Sequence, residues 1–298
     1  MPPIVVLANG SAGSAAASKD QDDRVAAIRD AFQAAGVDPP VRALPGPALA
    51  DAARDALAQG ARVLVAAGGD GTVSTLAGVA AGTSAALAVL PMGTLNHFAK
   101  DAGLPLQLEE AARVAVEGVA TPVDVAEVNG RVYVNNASVG LYAEALEERE
   151  RLLEPGGSKV LAMARAAGTV LQRPPALRVR LSVDGRPRPL DTSFVVVANN
   201  AYETSLGRLG RRTTLTGRRL AVYTSRRPGR RAVLGLAARA LVGRVAQAAD
   251  LEAHAAHHVV LASPRGELQV GIDGELVSLR TPLRFTSRPG ALLLMREA

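Results

Sequence analysis

Between Arg62 and Thr72 the chain reads Arg-Val-Leu-Val-Ala-Ala-Gly-Gly-Asp-Gly-Thr, an apolar run that ends in three glycines around one aspartate. Such a run without polar alternation predicts a strand buried on both faces, and strands of that kind belong to parallel sheets covered by helices. Gly68, Gly69 and Gly71 let the backbone approach an anion closely, with the N-terminus of a following helix pointing at it. The carboxyl edge of such a strand is where open α/β sheets bind ligands. Two familiar phosphate loops are excluded. None of the three lysines, Lys19, Lys100 and Lys159, follows a Gly and precedes Ser or Thr, and Ser74 stands where a dinucleotide fingerprint needs its third glycine.

The surrounding sequence follows the same grammar for about 120 residues. Strands are predicted over Ile4 to Ala8, Arg62 to Ala67 and Ala86 to Leu90. Helices are predicted over Asp20 to Ala35, Pro47 to Gln59, Thr72 to Ala81 and Leu106 to Glu117. In the first of these Val25, Ile28, Phe32 and Ala35 share a face, Asp20, Asp22 and Asp23 suit the start, and Gly36 suits the end. After Pro122 the pattern turns antiparallel. Asn129-Gly130, Asp184-Gly185 and Asp273-Gly274 are hairpin signals between strand-like runs, among them Val123 to Val128 and Arg131 to Ala137. Helices over Tyr142 to Leu153, Ser158 to Gln172 and Pro228 to Ala249 interrupt them. The fold class expected is an α/β N-terminal domain with a parallel sheet over 1–122, then a β-rich antiparallel sandwich over 123–298 whose last segment is free to return to the first domain.

Composition narrows the chemistry. At 48% hydrophobic residues the 298-residue chain is no disordered protein, and its apolar stretches are too short to cross a bilayer as a helix. Without cysteine it has neither disulfides nor a thiol nucleophile, which together with an N-terminus lacking a basic, apolar leader makes a cytoplasmic location the expectation. Thr204 to Ala249 holds eleven of the arginines and no acid, within a chain of net charge +6. That segment suits peripheral contact with an anionic membrane surface better than nucleic acid, because Tyr223 is its one stacking ring. His254, His257 and His258 have a metal-like spacing that fails once His257 begins a strand. No G-x-S-x-G elbow marks a serine hydrolase.

A second glycine loop, Pro91-Met92-Gly93-Thr94-Leu95-Asn96, follows the next strand and should lie beside the first, so that the two together can hold a nucleotide. With Gly-Gly-Asp-Gly-Thr at 68–72, this loop at 91–96 and Ile-Asp-Gly-Glu at 272–275, in that order, the sequence resembles the diacylglycerol kinase catalytic-domain family, which includes bacterial lipid kinases and the sphingosine and ceramide kinases. The likeness extends weakly to Asn9 through Gly13 and to Asn135 through Gly140. Two departures stand out: Gly10 replaces the family's usual Pro, and His97 stands where many bacterial members carry Asp.

The resemblance implies ATP-dependent phosphate transfer to a lipid alcohol such as diacylglycerol, with Mg²⁺ and a nucleotide cleft between the α/β and β-rich domains. It places Asn9, Gly68, Gly69, Asp70, Gly71, Thr72, Gly93, Thr94 and Asn96 on the nucleotide. Asp273 becomes the base candidate, Glu275 a support for metal or nucleotide, and Asp70 a rival base as in sphingosine-kinase-like members. Two alternatives stay open: an NAD kinase-like enzyme, which shares the Gly-Gly-Asp-Gly loop, and an inactive nucleotide- or lipid-binding protein. The metal ligands, the acceptor lipid and the oligomeric state, a homodimer included, are not set by these features.

Overall fold

The computed structural model describes residues 3–10, 15–152, 159–172, 176–203, 212, 214–229, 233 and 250–297. The chain divides into two compact units, Met1–Val125 with Pro289–Ala298, and Ala126–Arg288.

In the first unit the strands β1 (Ile4–Asn9), β2 (Val41–Leu44), β3 (Val63–Gly68) and β4 (Ala86–Pro91) pair in the order β2-β1-β3-β4, all parallel. The end of β16 (Leu283–Arg296) adds a further parallel strand through Leu293 and Leu294 beside β4. β3 is buried along its whole length, as its unbroken apolar run requires. Alternate residues, among them Val6, Val65, Ala88 and Leu90, share a core with Ile28 and Phe32 of α1 (Ala15–Ala34) and with Ala112 and Ala115 of α5 (Leu108–Glu117). Each fully buried Val or Leu there contributes about 1.5–3 kcal/mol. On the other face lie α2 (Leu49–Ala58) and α3 (Asp70–Ala80), giving the helix-sheet-helix layering expected of a parallel sheet. A short helix, α4 (His97–Asp101), follows the second glycine loop.

Local details depart from the sequence expectation. α1 begins at Ala15 rather than Asp20, because the alanine run ahead of it continues the helix; its acids therefore lie inside the helix. α3 begins two residues before Thr72, at Asp70. β2, with every residue half-buried, carries no alternation that would have announced it.

The second unit is an antiparallel sandwich. One sheet has the order β12-β11-β10-β7-β14-β15, formed by β12 (Leu251–Ala256), β11 (Leu220–Ser225), β10 (Phe194–Asn199), β7 (Asn136–Gly140), β14 (Glu267–Ile272) and β15 (Glu275–Arg280). Facing it, β9 (Arg186–Thr192), β8 (Leu177–Val183), β13 (His258–Ala262) and residues 283–286 of β16 are neighbours in that order. β5 (Val119–Val128) carries β6 (Arg131–Tyr133) as a hairpin. Val139, Val197, Val222, Leu181, Val259 and Phe285 meet in the core between the sheets. α6 (Leu141–Leu152) covers the outer face of β7 and β14, and α7 (Lys159–Gln172) packs on α6. The expected single strand Arg131–Ala137 is broken at Val134-Asn135, so β6 and β7 belong to different sheets. Most of the helix expected over Pro228 to Ala249 lies outside the described residues. No helix among them is long and apolar enough to cross a membrane.

An ion pair ties edge strand β9 to edge strand β12. Arg188 donates to both carboxylate oxygens of Glu252, at 3.1 and 2.7 Å, and His254 Nε2 lies 3.2 Å from the same carboxylate. His254 is thus a partner of this pair, and the described residues contain no metal-ligating cluster. The Arg188 bond, opposed by burial and aided by His254, holds the Glu252 carboxyl at about 2 against an ordinary 4.5. A depressed folded value means stability that is complete above the ordinary value and is lost as pH falls through the folded one. Wild type should exceed Glu252→Gln by about 1 kcal/mol at pH 6, a figure reduced for the exposure of Arg188, and the difference should close between pH 4.5 and 2. Urea midpoints of the two proteins across that range measure it; a gap that does not change with pH would refute it.

Candidate functional site

β3 delivers Gly68, Gly69 is the N-cap residue of α3, and no side chain caps the helix. The N–H groups of its first turn therefore face outwards, where the helix dipole favours negative charge. Thr72 is 3% exposed, and its Oγ1 has no hydrogen-bond partner among the described residues. A Cβ on Gly68 would run into that side chain, so only glycine leaves the hydroxyl its place. An orphaned hydroxyl under an uncapped helix N-terminus fits a phosphate group.

The second glycine loop touches the first. Gly68 is in register with Pro91, and Met92 N–H donates to the Gly68 carbonyl at 3.0 Å. A Cβ on Gly93 would collide with the Gly69 Cα, so the loops meet backbone to backbone. Asn96, at φ 50°, closes the second loop on itself: its Oδ1 accepts from Gly93 N–H at 3.0 Å, and its Nδ2 donates to the carbonyls of Gly93 at 2.8 Å and Pro91 at 3.3 Å. Its amide shapes the loop. Thr94 is exposed near the tip, and Asn9 ends β1 on the same carboxyl edge of the sheet.

Asp70 joins the two loops. Its Oδ2 accepts His97 N–H at 3.1 Å and its Oδ1 accepts Phe98 N–H at 2.9 Å, so a side chain at the start of α3 caps α4. Both bonds use main-chain donors, which is why a histidine is accommodated at position 97.

Asp273 and Glu275 lie in the other unit. Asp273 and Gly274 make the β14–β15 turn with φ values of 47° and 88°, the left-handed pair that tight hairpins require. The Asp273 carboxylate accepts three main-chain N–H groups, from Val134 at 2.8 Å, Asn135 at 2.8 Å and Asn136 at 3.0 Å. That grip explains the break between β6 and β7. Arg149 of α6 reaches the Gly274 carbonyl at 3.4 Å, and Glu275 is exposed at the start of β15. Beside them the Tyr133 hydroxyl is fully buried and has no hydrogen-bond partner among the described residues. Burial, reinforced by the Asp273 carboxylate and Tyr202, holds its pKa well above the usual phenol value. Tyr133 escaped the sequence reading, Asn135 entered it only as the start of a weak likeness, and Arg212 only as one arginine of the basic segment.

Five of the eleven arginines of the basic segment lie among the described residues. Arg208, Arg211, Arg230, Arg231, Arg239 and Arg244 lie outside the described residues, and Arg212 is buried at 5% exposure. Arg218 and Arg219 are exposed before β11, and Arg226 and Arg227 are exposed after it. A six-residue strand, about 20 Å long, separates the pairs.

Two adjoining glycine loops on the carboxyl edge of a parallel sheet, one leading into an uncapped helix, together with an antiparallel sandwich, define a two-module α/β-plus-sandwich protein. The chain belongs to the diacylglycerol kinase catalytic-domain family: residues 3–128 match the family model described as diacylglycerol kinase catalytic domain, and residues 137–296 match that described as YegS C-terminal NAD kinase beta sandwich-like domain. A protein of Cronobacter sakazakii named "Probable lipid kinase YegS-like" is 41% identical over 111 residues, 34% of this chain and 37% of the relative. One of the same name from Pseudomonas aeruginosa is 42% identical over 113 residues, 36% of each. The chain thus matches about a third of the length of these curated relatives. A crystal structure titled as a diacylglycerol kinase of Bacillus anthracis superposes with a TM-score of 0.69 at 20% identity, covering 99% of this chain and 97% of that one. A second structure from that organism gives 0.74 at 22% identity, with the same coverage. These two likenesses are of fold.

Proposed function

We propose that the protein is an ATP-dependent lipid kinase that transfers the γ-phosphoryl group of ATP to the hydroxyl of a lipid alcohol such as diacylglycerol. The observation that carries this reading is the uncapped α3 N-terminus with the orphaned Thr72 hydroxyl, bound by Asp70 to the second glycine loop. Gly68, Gly69, Gly71, Thr72 and Gly93 receive the phosphates, and Asn9 and Thr94 flank them on the same sheet edge. Asn96 keeps the second loop in shape, and Asp70 holds the loops together. In the transfer the lipid hydroxyl oxygen forms a bond to the γ-phosphorus, the bond from that phosphorus to the bridging oxygen of ADP breaks, and the hydroxyl proton passes to a carboxylate that we assign as Asp273. No group of three or more His, Asp or Glu among the described residues makes a ready metal cage. Glu275 is the protein carboxylate that we assign to hold Mg²⁺, which would also draw oxygen ligands from the nucleotide phosphates and water. When bound, the ion offsets negative charge on the transferring phosphoryl group.

A lipid acceptor places the protein at a membrane surface, on the cytoplasmic side where ATP is available. Arg226 and Arg227 are the exposed basic pair that we assign to anionic headgroups. The test is incubation with labelled ATP, Mg²⁺, vesicles containing a panel of lipid alcohols, and NAD, with products separated by polarity. Labelled lipid is expected, whereas labelled NADP without labelled lipid would reject the reading. In the same preparation, binding to anionic vesicles should fall on adding salt and on replacing Arg226 and Arg227 by Gln. Equal binding to neutral vesicles would leave the pair as solubilising surface.

A further inference from the structure

Three Asx-Gly turns in the second unit share one main-chain lock. Asn129, Asp184 and Asp273 have φ values of 47°, 45° and 47°. Each donates its own N–H to a carbonyl of another segment, of Arg284, His258 and Asn136 respectively, and accepts main-chain N–H groups of that segment on its side-chain oxygen. The first two turns are exposed, and the lock suffices for them.

Behind the third lies a buried polar network. Arg212 donates to the Val134 carbonyl and, at 3.1 Å, to Asn135 Oδ1. Asn199 Nδ2 donates to the same Val134 carbonyl at 3.1 Å, and Asn199 N–H donates to the Asn135 carbonyl at 2.9 Å. Asn136 Nδ2 donates to the Tyr202 hydroxyl at 2.9 Å, and Tyr202 in turn pairs through its backbone with Arg212. The Asp273 carboxylate thus grips Val134–Asn136 by its N–H groups while Arg212 and Asn199 grip the same segment by its carbonyls. Burying a guanidinium carries a large desolvation cost, and two sibling turns in the same unit hold without one. The cost is explained if the position of this carboxylate matters more than that of the others.

We infer that Arg212 is a positioning residue for phosphoryl transfer: it fixes the Val134–Asn136 segment whose amides hold the Asp273 carboxylate. The inference rests on the assignment of Asp273 as the group that receives the hydroxyl proton.

Steady-state kinetics of the full chain test it. Arg212→Lys keeps the charge but lacks the planar fork needed to reach both Val134 and Asn135. It should lower kcat at least tenfold and leave KM for ATP within twofold. Arg212→Ala should regain kcat when guanidinium is added at millimolar concentration while its melting temperature stays unchanged, whereas a purely structural role would restore both together. The double variant Arg212→Lys with Asp273→Asn should be no slower than Asp273→Asn alone, because both changes act through one carboxylate. Asp184→Asn should retain wild-type kcat. Where Arg212→Lys does not fold, Asn135→Ala removes one of the two acceptors and is read in the same way. Wild-type kcat in a folded Arg212→Lys or Asn135→Ala protein, or additive losses in the double variant, overturns the inference. The two readings separate cleanly: an active Asp273→Asn sinks the assignment of Asp273, whereas a dead Asp273→Asn beside an active Arg212→Lys sinks only the role of Arg212.

Discussion

Asp273→Asn should lower kcat by about 10²- to 10⁴-fold, the range for loss of a general base, and leave KM for ATP near its wild-type value. The glycine loops assigned to the nucleotide belong to the first unit, and the Asp273 carboxylate makes its bonds to Val134, Asn135 and Asn136 in the second. Asp70→Asn should behave differently. Both Asp70 oxygens accept main-chain N–H groups of α4, so an amide NH₂ in place of one oxygen sets donor against donor and loosens the second loop. Each lost charge-assisted bond of this kind is worth about 1.5–3 kcal/mol, enough to weaken ATP binding roughly tenfold or more. ATP titration by calorimetry, with single-turnover rates on both variants, separates the roles. Normal ATP affinity in a dead Asp70→Asn protein, beside an active Asp273→Asn, would exchange them.

The contact between the loops makes Gly93→Ala the second change with a large effect. Its Cβ would strike the Gly69 Cα and stand 2.8 Å from Asn96 Oδ1 and 3.2 Å from the Gly69 nitrogen. Overpacking of this sort costs about 1–3 kcal/mol, and relief comes only from parting the loops. Both thermal stability and ATP affinity should fall, affinity by about 10- to 100-fold. Gly69→Ala is the informative partner, because its Cβ would stand 3.3 Å from the Gly93 Cα, tight but close to accommodated. That protein should melt near the wild-type temperature and yet bind ATP poorly, since the new methyl occupies the approach to the phosphates. Undiminished affinity in both variants would move the nucleotide elsewhere.

The parts of the fold that periodicity dictates were legible in the chain. β3 could be read, one residue early at each end, because the apolar run Val63 to Ala67 has no polar alternation and stops at glycines, and the three Asx-Gly turns because left-handed dihedrals favour few residue types. β2 was hidden by its uniform half-burial, and the break between β6 and β7 by its cause, a carboxylate more than a hundred positions away. The glycine loops announced themselves through their lack of side chains. What Asp70 does with its oxygens did not, because its partners are amides that every residue possesses. Arg212 was counted with a surface face on charge alone, and no property of an arginine in sequence says whether it points to water or to a carbonyl.

Between β6 and β7 the chain passes from one sheet to the other within Val134 and Asn135, making a corner of the sandwich. Beyond it Ala137 and Val139 enter the core, while Ser138 turns the other way and donates to the Gly271 carbonyl at 3.3 Å. Strand alternation has a period of two, so one residue inserted at the corner would turn Ala137 and Val139 outwards and press Ser138 among Val197, Val222 and Phe285. Length at this point is therefore fixed as strictly as residue identity. A scaffold of this kind has no freedom to lengthen the corner on which Asp273 rests.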